Sequence, residues 1–164
     1  DFYPTDELAE ILRRSAEILG VPLKGDADME IATRSRGTPR VANRLLKRVR
    51  DYAEVKVDGI ITIETVNASL KMEGIDDIGL DKFDRKYLKA LIEFYNGGPV
   101  GVEALAATLN EEQDTLADMV EPFLLKIGFV IRTASGRRAT SRSFQHLGYP
   151  YKAKAEEEGR PSLF

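Results

Sequence analysis

The stretch "GFVIRTASGRRAT", residues 128–140, decides the fold. Two β-prone runs, "GFVIRT" and "RRAT", flank Ala134-Ser135-Gly136, a tight-turn signal. Upstream lie three segments with helical spacing. Asp81 opens one that places Phe83, Tyr87, Leu88, Leu91, Ile92 and Tyr95 on or near one face, and Gly97-Gly98-Pro99 breaks it. Val102 to Leu109 gives a short helix, Asn110 a turn, and about Glu111 to Ile127 a longer helix with Pro122 inside.

Three helices followed by a small hairpin make the pattern of a winged helix, a helix-turn-helix variant. Working outward, residues 74–84 ("GIDDIGLDKFD") read as a linker. Before it, Thr5 is placed to cap a helix whose stripe is Leu8, Ile11, Leu12, Ser15, Ile18 and Leu19, stopped by Gly20-Val21-Pro22. A short helix fits Asp26 to about Arg34. Thr38 and Pro39 suit a third start, with Val41, Ala42, Leu45, Leu46, Val49 and Tyr52-Ala53 as its apolar stripe, and Thr62 caps a fourth helix running to about Glu73. Residues 1–75 therefore read as a helical bundle, 76–150 as a winged-helix domain and 151–164 as a flexible tail.

Composition excludes several chemistries. The 164 residues contain no cysteine and one histidine, His146. There is no disulfide framework, no thiolate or multi-histidine metal site, and no ready Ser/His/Asp arrangement. No apolar run reaches the length of a membrane span and no signal-peptide pattern opens the chain, so a cytoplasmic protein is expected. The absence of an initiator methionine reads as a fragment or a processed chain.

Two basic patches stand out against a net charge of −3. In "RSRGTPRVANRLLKRVRD", residues 34–51, Arg34, Arg44, Lys47 and Arg50 alternate around an amphipathic helix and read as a solvated face. Arg40 differs, because it sits just inside a helix start, where a cation opposes the dipole. That position already offers N–H groups to an anion, so an added arginine converges with them on a bound phosphate. Local physics leaves that role and a solvated arginine both open. No Gly-x-x-x-x-Gly-Lys-Ser/Thr run accompanies it, so these residues are not expected to hydrolyse a nucleotide alone. No catalytic and no metal-binding residue is expected here.

The second patch runs from Pro122 to Ala155, with seven basic and no acidic residues. Arg132 and Arg137 flank the hairpin turn and can straddle a nucleic-acid backbone. The longer helix carries Glu111, Glu112, Asp114, Asp118 and Glu121, acids that repel phosphates beside a groove. The wing rather than the helix is expected to meet DNA, through backbone and shape. The other candidates read as structural: Phe83, Tyr87, Tyr95, Phe123 and Phe129 as core, His146 as packing.

On these residues the chain resembles the RuvB family of bacterial Holliday-junction branch-migration motors, of the AAA+ class. "RSRGTPRVANRLLKRVRDYAEV" is similar to that family's sensor-2 region. Residues 79–140, "GLDKFDRKYLKALIEFYNGGPVGVEALAATLNEEQDTLADMVEPFLLKIGFVIRTASGRRAT", resemble its C-terminal winged helix. The likeness covers about residues 2–149. It implies a mainly α fold: a helical-bundle AAA+ lid followed by a winged-helix domain with a small β-hairpin wing. It also implies that the large domain with the Walker motifs and magnesium lies outside this chain. By resemblance Arg40 is the sensor-2 arginine that reaches the phosphates of ATP or ADP, Tyr3 lies beside the nucleotide, and Arg132 and Arg137 contact DNA. The family often has Arg-Thr-Pro-Arg-Gly-Arg in the wing, where this chain has Ala134 and Ser135; whether Arg138 replaces the missing charge stays open. Gln113 stands where some members have an arginine, so no DNA contact is expected there.

The implied function is ATP-dependent branch migration of Holliday-junction duplex DNA in recombination, DNA repair and the SOS response. RuvA and RuvC are the implied partners, with a homohexameric ring when intact and a monomer for the fragment. The alternatives are a standalone winged-helix regulator, which predicts sequence-selective binding by residues 111–127, and a protein-interaction adaptor that binds no DNA.

Overall fold

The helical spacing of the first half buries one stripe per helix, and the result is a four-helix unit. The computed structural model describes residues 2–152, and the chain divides into two compact units, Asp1–Lys82 and Phe83–Phe164. The expected tail falls, from residue 153 onward, outside the described residues. No helix among the described residues is long and apolar enough to cross a membrane.

The first unit holds α1 (Thr5–Leu19), α2 (Ala27–Thr33), α3 (Pro39–Lys56) and α4 (Ile63–Met72). Thr38 caps α3 as its sequence predicts, its hydroxyl accepting from the Val41 N–H at 3.3 Å. Thr62 caps α4 in the same way, accepting from the Thr65 N–H at 3.2 Å. Thr5 is instead the first helical residue of α1, with Pro4 in the cap position and no side-chain cap. Leu8, Leu12, Ile31, Leu45, Leu46, Val49, Val66 and Leu70 form the core. Ile18, placed on the apolar stripe by its spacing, is 86% exposed. The buried residues Leu8, Ala9, Leu12 and Ala16 span about 100° of the helical wheel, and Ile18 falls about 80° outside that arc.

The supposed linker is ordered at the end of this unit. Asp76 Oδ1 accepts from the N–H groups of Ile78 (3.1 Å) and Leu80 (2.9 Å), and Leu80 is fully buried. This is an Asx-type turn. Gly79 has φ +93°, and a Cβ there would lie 2.7 Å from the Arg34 carbonyl oxygen. Only glycine allows that approach.

The second unit contains α5 (Lys82–Glu93), α6 (Val102–Leu109), α7 (Gln113–Thr115), a π-helical turn (Leu116–Val120), α8 (Glu121–Lys126), β1 (Val130–Thr133), β2 (Gly136–Ala139) and α9 (Ser141–Leu147). The strands are antiparallel in the register Val130↔Ala139, Ile131↔Arg138, Arg132↔Arg137 and Thr133↔Gly136, leaving a two-residue turn at Ala134-Ser135. Val100 adds a third edge, exchanging hydrogen bonds of 3.0 and 2.7 Å with Arg137. Gly98 makes this possible, since a Cβ there would lie 2.2 Å from the Arg137 carbonyl oxygen. Tyr87, Leu88, Leu91, Leu105, Leu116, Leu124 and Val130 build the core. The helix α9 was not legible in "SRSFQHL", whose polar residues mask its one anchor, the buried Phe144. His146 packs against Phe129, ring centroids 5.4 Å apart, as its structural reading expects.

The long helix read from Glu111 to Ile127 is not uniform. Pro122 has no N–H for the carbonyl of residue 118, and the π turn sits immediately before it. A π turn holds one extra residue, which rotates everything downstream by about 100°. Glu121, which α-helical counting places on a stripe with Asp114 and Asp118, is consequently buried while those two remain exposed.

Candidate functional site

Two separate constellations of cations emerge, one in each unit. In the first, Arg40 occupies the second position of α3, is exposed, and makes no hydrogen bond or ion pair among the described residues. No acidic residue lies in the first turn to offset it. The Tyr3 N–H donates to the Gly37 carbonyl at 2.7 Å, which fastens the incoming chain to the turn ahead of Arg40. Tyr3 itself is 42% exposed. The backbone of Tyr3 is thus tied to the turn that leads into α3, on which Arg40 sits.

The same turn is tied to the exit loop of the unit. Arg36, itself in the left-handed region at φ +56°, donates from Nη1 to the Gly79 carbonyl at 3.3 Å. The remaining basic residues of this stretch sort differently from their sequence reading. Arg34 is not part of a solvated face: it precedes α3, is buried, and binds Glu30 at 2.8 Å and the Asn67 side chain. Arg44 and Lys47 are exposed, and Arg50 pairs with Asp51 at 3.2 Å.

In the second unit the hairpin register sets Arg132 and Arg137 side by side on one face. Both turn toward Glu121. Arg132 Nη2 donates to Glu121 Oε2 at 2.9 Å, and Arg137 Nε donates to Oε1 at 2.9 Å. Tyr87 completes the cluster, its hydroxyl donating to Oε1 at 2.9 Å. Glu121 is fully buried, and the arginine side chains are 51% (Arg132) and 19% (Arg137) exposed. Burial would raise the Glu121 pKa, but the hydrogen bonds from Arg137, Arg132 and Tyr87 outweigh it and hold the carboxyl below the ordinary glutamate value. Burial, and next the Glu121 charge, drive the Tyr87 phenol far above its ordinary value, so it stays a neutral donor.

In the sequence Glu121 reads as one of five acids on the long helix. The structure corrects this to four exposed acids, Glu111, Glu112, Asp114 and Asp118, and one buried anion that the wing arginines neutralise. The signal available was the lone acid in "MVEPFLL", residues 119–125, an otherwise apolar run. Arg138 pairs with Ile131 and so stands on the opposite face of the hairpin from Arg137. It does not substitute for a charge at the turn beside Arg132.

These two constellations coincide with two family models. The RuvB AAA lid domain matches residues 3–76, and the RuvB C-terminal winged helix domain matches residues 77–148. The chain belongs to the RuvB family. It is 52% identical over 152 residues to the Holliday junction branch migration complex subunit RuvB of Desulfosudis oleivorans, covering 93% of this chain and 44% of that protein. The RuvB of Chloroflexus aurantiacus is 52% identical over 163 residues, covering 98% of this chain and 47% of that protein. Among solved structures, the Thermotoga maritima RuvB Holliday junction branch migration motor superposes with a TM-score of 0.89 at 50% identity, covering 93% of this chain and 51% of that one. A point mutant of the T. maritima RuvB gives 0.90 at 49%, with the same coverage. The chain thus spans about half the length of the RuvB relatives it matches, and the matched half is the mainly α lid and winged helix.

Proposed function

We propose that this chain is the lid and DNA-gripping part of an ATP-dependent motor that drives branch migration of Holliday junctions, in recombination and DNA repair. The observation that carries this reading is Arg40: an exposed cation, without a partner among the described residues, at the start of an 18-residue helix, where a bound anion would relieve it. In this reading Arg40 takes a nucleotide phosphate and Tyr3 flanks the nucleotide. Magnesium and the hydrolytic chemistry come from a domain outside these residues, where no Walker-type run occurs. The winged helix grips the duplex backbone through the wing.

The lid passes its state on through the contact of Arg36 with Gly79, because the chain enters α5 three residues after Gly79. A change of orientation at the sensor turn is thereby delivered to the first helix of the winged-helix unit. RuvA and RuvC are the proposed partners, a homohexamer the working assembly, and the cytoplasm the compartment. The test is Arg40→Ala in the intact protein. ATP turnover should fail while DNA binding persists; unchanged ATPase activity would overturn the reading. A sequence-selective regulator is disfavoured by the four exposed acids on the helix that would enter a major groove.

A further inference from the structure

We propose that Glu121, with Arg137 and Tyr87, is a positioning device that presents Arg132 to a DNA phosphate, so that the two wing arginines have different jobs. The inference rests on the reading that the wing meets DNA. It begins from the unequal way the two guanidinium groups are used. Arg137 commits Nε and Nη2 to Glu121, at 2.9 and 3.4 Å, and is largely covered. Arg132 commits only Nη2, and half of its side chain remains exposed. A guanidinium carries five N–H donors in a fixed fork, so anchoring one nitrogen leaves the donors on the other two uncommitted to Glu121.

Anchoring also changes the energetics of capture. A free arginine on a hairpin tip must give up rotamer freedom when it binds, whereas one already held has less to lose. Glu121 can serve as such an anchor because it is itself immobile. It is buried, it sits at the start of α8 just after the π turn, and Tyr87 on α5 holds its Oε1. Glu121, Arg132 and Arg137 together retain one positive charge, so the anchored pair still attracts a phosphate.

Electrostatics and positioning predict opposite signs, which makes the test decisive. Replacing Glu121 by Gln raises the charge of the wing by one. If the carboxylate only neutralises the arginines, duplex affinity rises. If it aims Arg132, affinity falls, since a carboxamide presents an NH₂ group to one of the two arginines.

The experiment uses the intact protein and a fluorescently labelled duplex, titrated across a salt series. Glu121→Gln is expected to weaken binding about tenfold, the ratio that ~1.4 kcal/mol sets; unchanged or tighter binding overturns the proposal. Tyr87→Phe alters no charge and should weaken binding in the same direction by less. It also keeps the test alive should Glu121→Gln unfold, since no weakening in a folded Tyr87→Phe protein would count against the anchor. On an Arg132→Ala background, Glu121→Gln should cost no further affinity; an additive loss would mean a merely structural glutamate and sink the idea. Arg132→Ala alone should lower the salt slope by about 1. If that variant binds DNA with unchanged slope, the DNA reading of the wing fails. If it weakens binding and Glu121→Gln does not, only the positioning role fails.

Discussion

Arg40 and Arg132 are both exposed arginines in basic stretches, yet their surroundings differ in one respect that decides their behaviour. Arg40 has no partner within the described residues and sits where the helix dipole disfavours it. Arg132 is already paired, through a buried carboxylate shared with Arg137. The first has no counter-charge among the described residues. The second is a finished internal structure with one face left over. Removing the first should therefore touch function alone, whereas disturbing the second should touch stability as well.

The largest effect that would break this contrast is on catalysis. Arg40→Ala in the intact protein should lower ATP turnover on the order of 100-fold, the scale of losing one electrostatic contact to a reacting group. Its thermal midpoint should stay level or rise slightly, because an adverse dipole interaction is removed. A clear drop in midpoint would show that Arg40 is structural after all. Arg137→Ala should do the reverse. It strips two donors from a buried carboxylate, at about 2–3 kcal/mol, and calorimetry should see the winged-helix unit melt several degrees earlier.

Between these lies Gly79→Ala, which forces a side chain into the left-handed region and against the Arg34 carbonyl. About 1–2 kcal/mol of strain is expected, with ATPase activity retained and branch migration reduced in a coupled assay. Equal loss of both activities would locate the defect in the lid fold and not in its link to α5. The smallest effect is on pH. The Glu121 carboxyl titrates below its ordinary 4.5 in the folded protein, so the folded state holds this proton less tightly than the unfolded one. Its stabilising contribution is complete above pH 4.5 and is lost as pH falls below that value. Acid unfolding curves of the wild type should show this limb, and Glu121→Gln should flatten it.

Much of this was visible in the linear chain, for identifiable reasons. Thr38-Pro39 and Thr62 announce helix starts because a cap needs only its own neighbours, and both caps form. The hairpin was legible because β-prone runs around a turn signal are also local. What escaped depended on contacts far apart in sequence. Arg34 reads as one more surface cation, and only the fold reveals Asn67, 33 residues away, as its partner. Glu121 reads as one acid in a stripe, and only its distant partners Tyr87 and Arg137 show that it faces inward. The exit loop looks like a linker because its order rests on one aspartate reused by two N–H groups. The turn ahead of Arg40 was visible in the sequence, but its tie to Tyr3 was not.

The π turn from Leu116 to Val120 makes residue number matter more than residue identity in this part of the helix. It acts as a phase shifter, much as a frameshift does in a coding strand. Deleting one residue from it would give an ordinary helix with α8 in its present phase, but inserting one more residue after it would rotate α8 by about 100°. Glu121 would then swing to the surface beside Asp114 and Asp118, and the wing arginines would lose their anchor without either being changed. Conservative substitutions at Ala117 or Met119, which are not buried, should by contrast pass almost unnoticed.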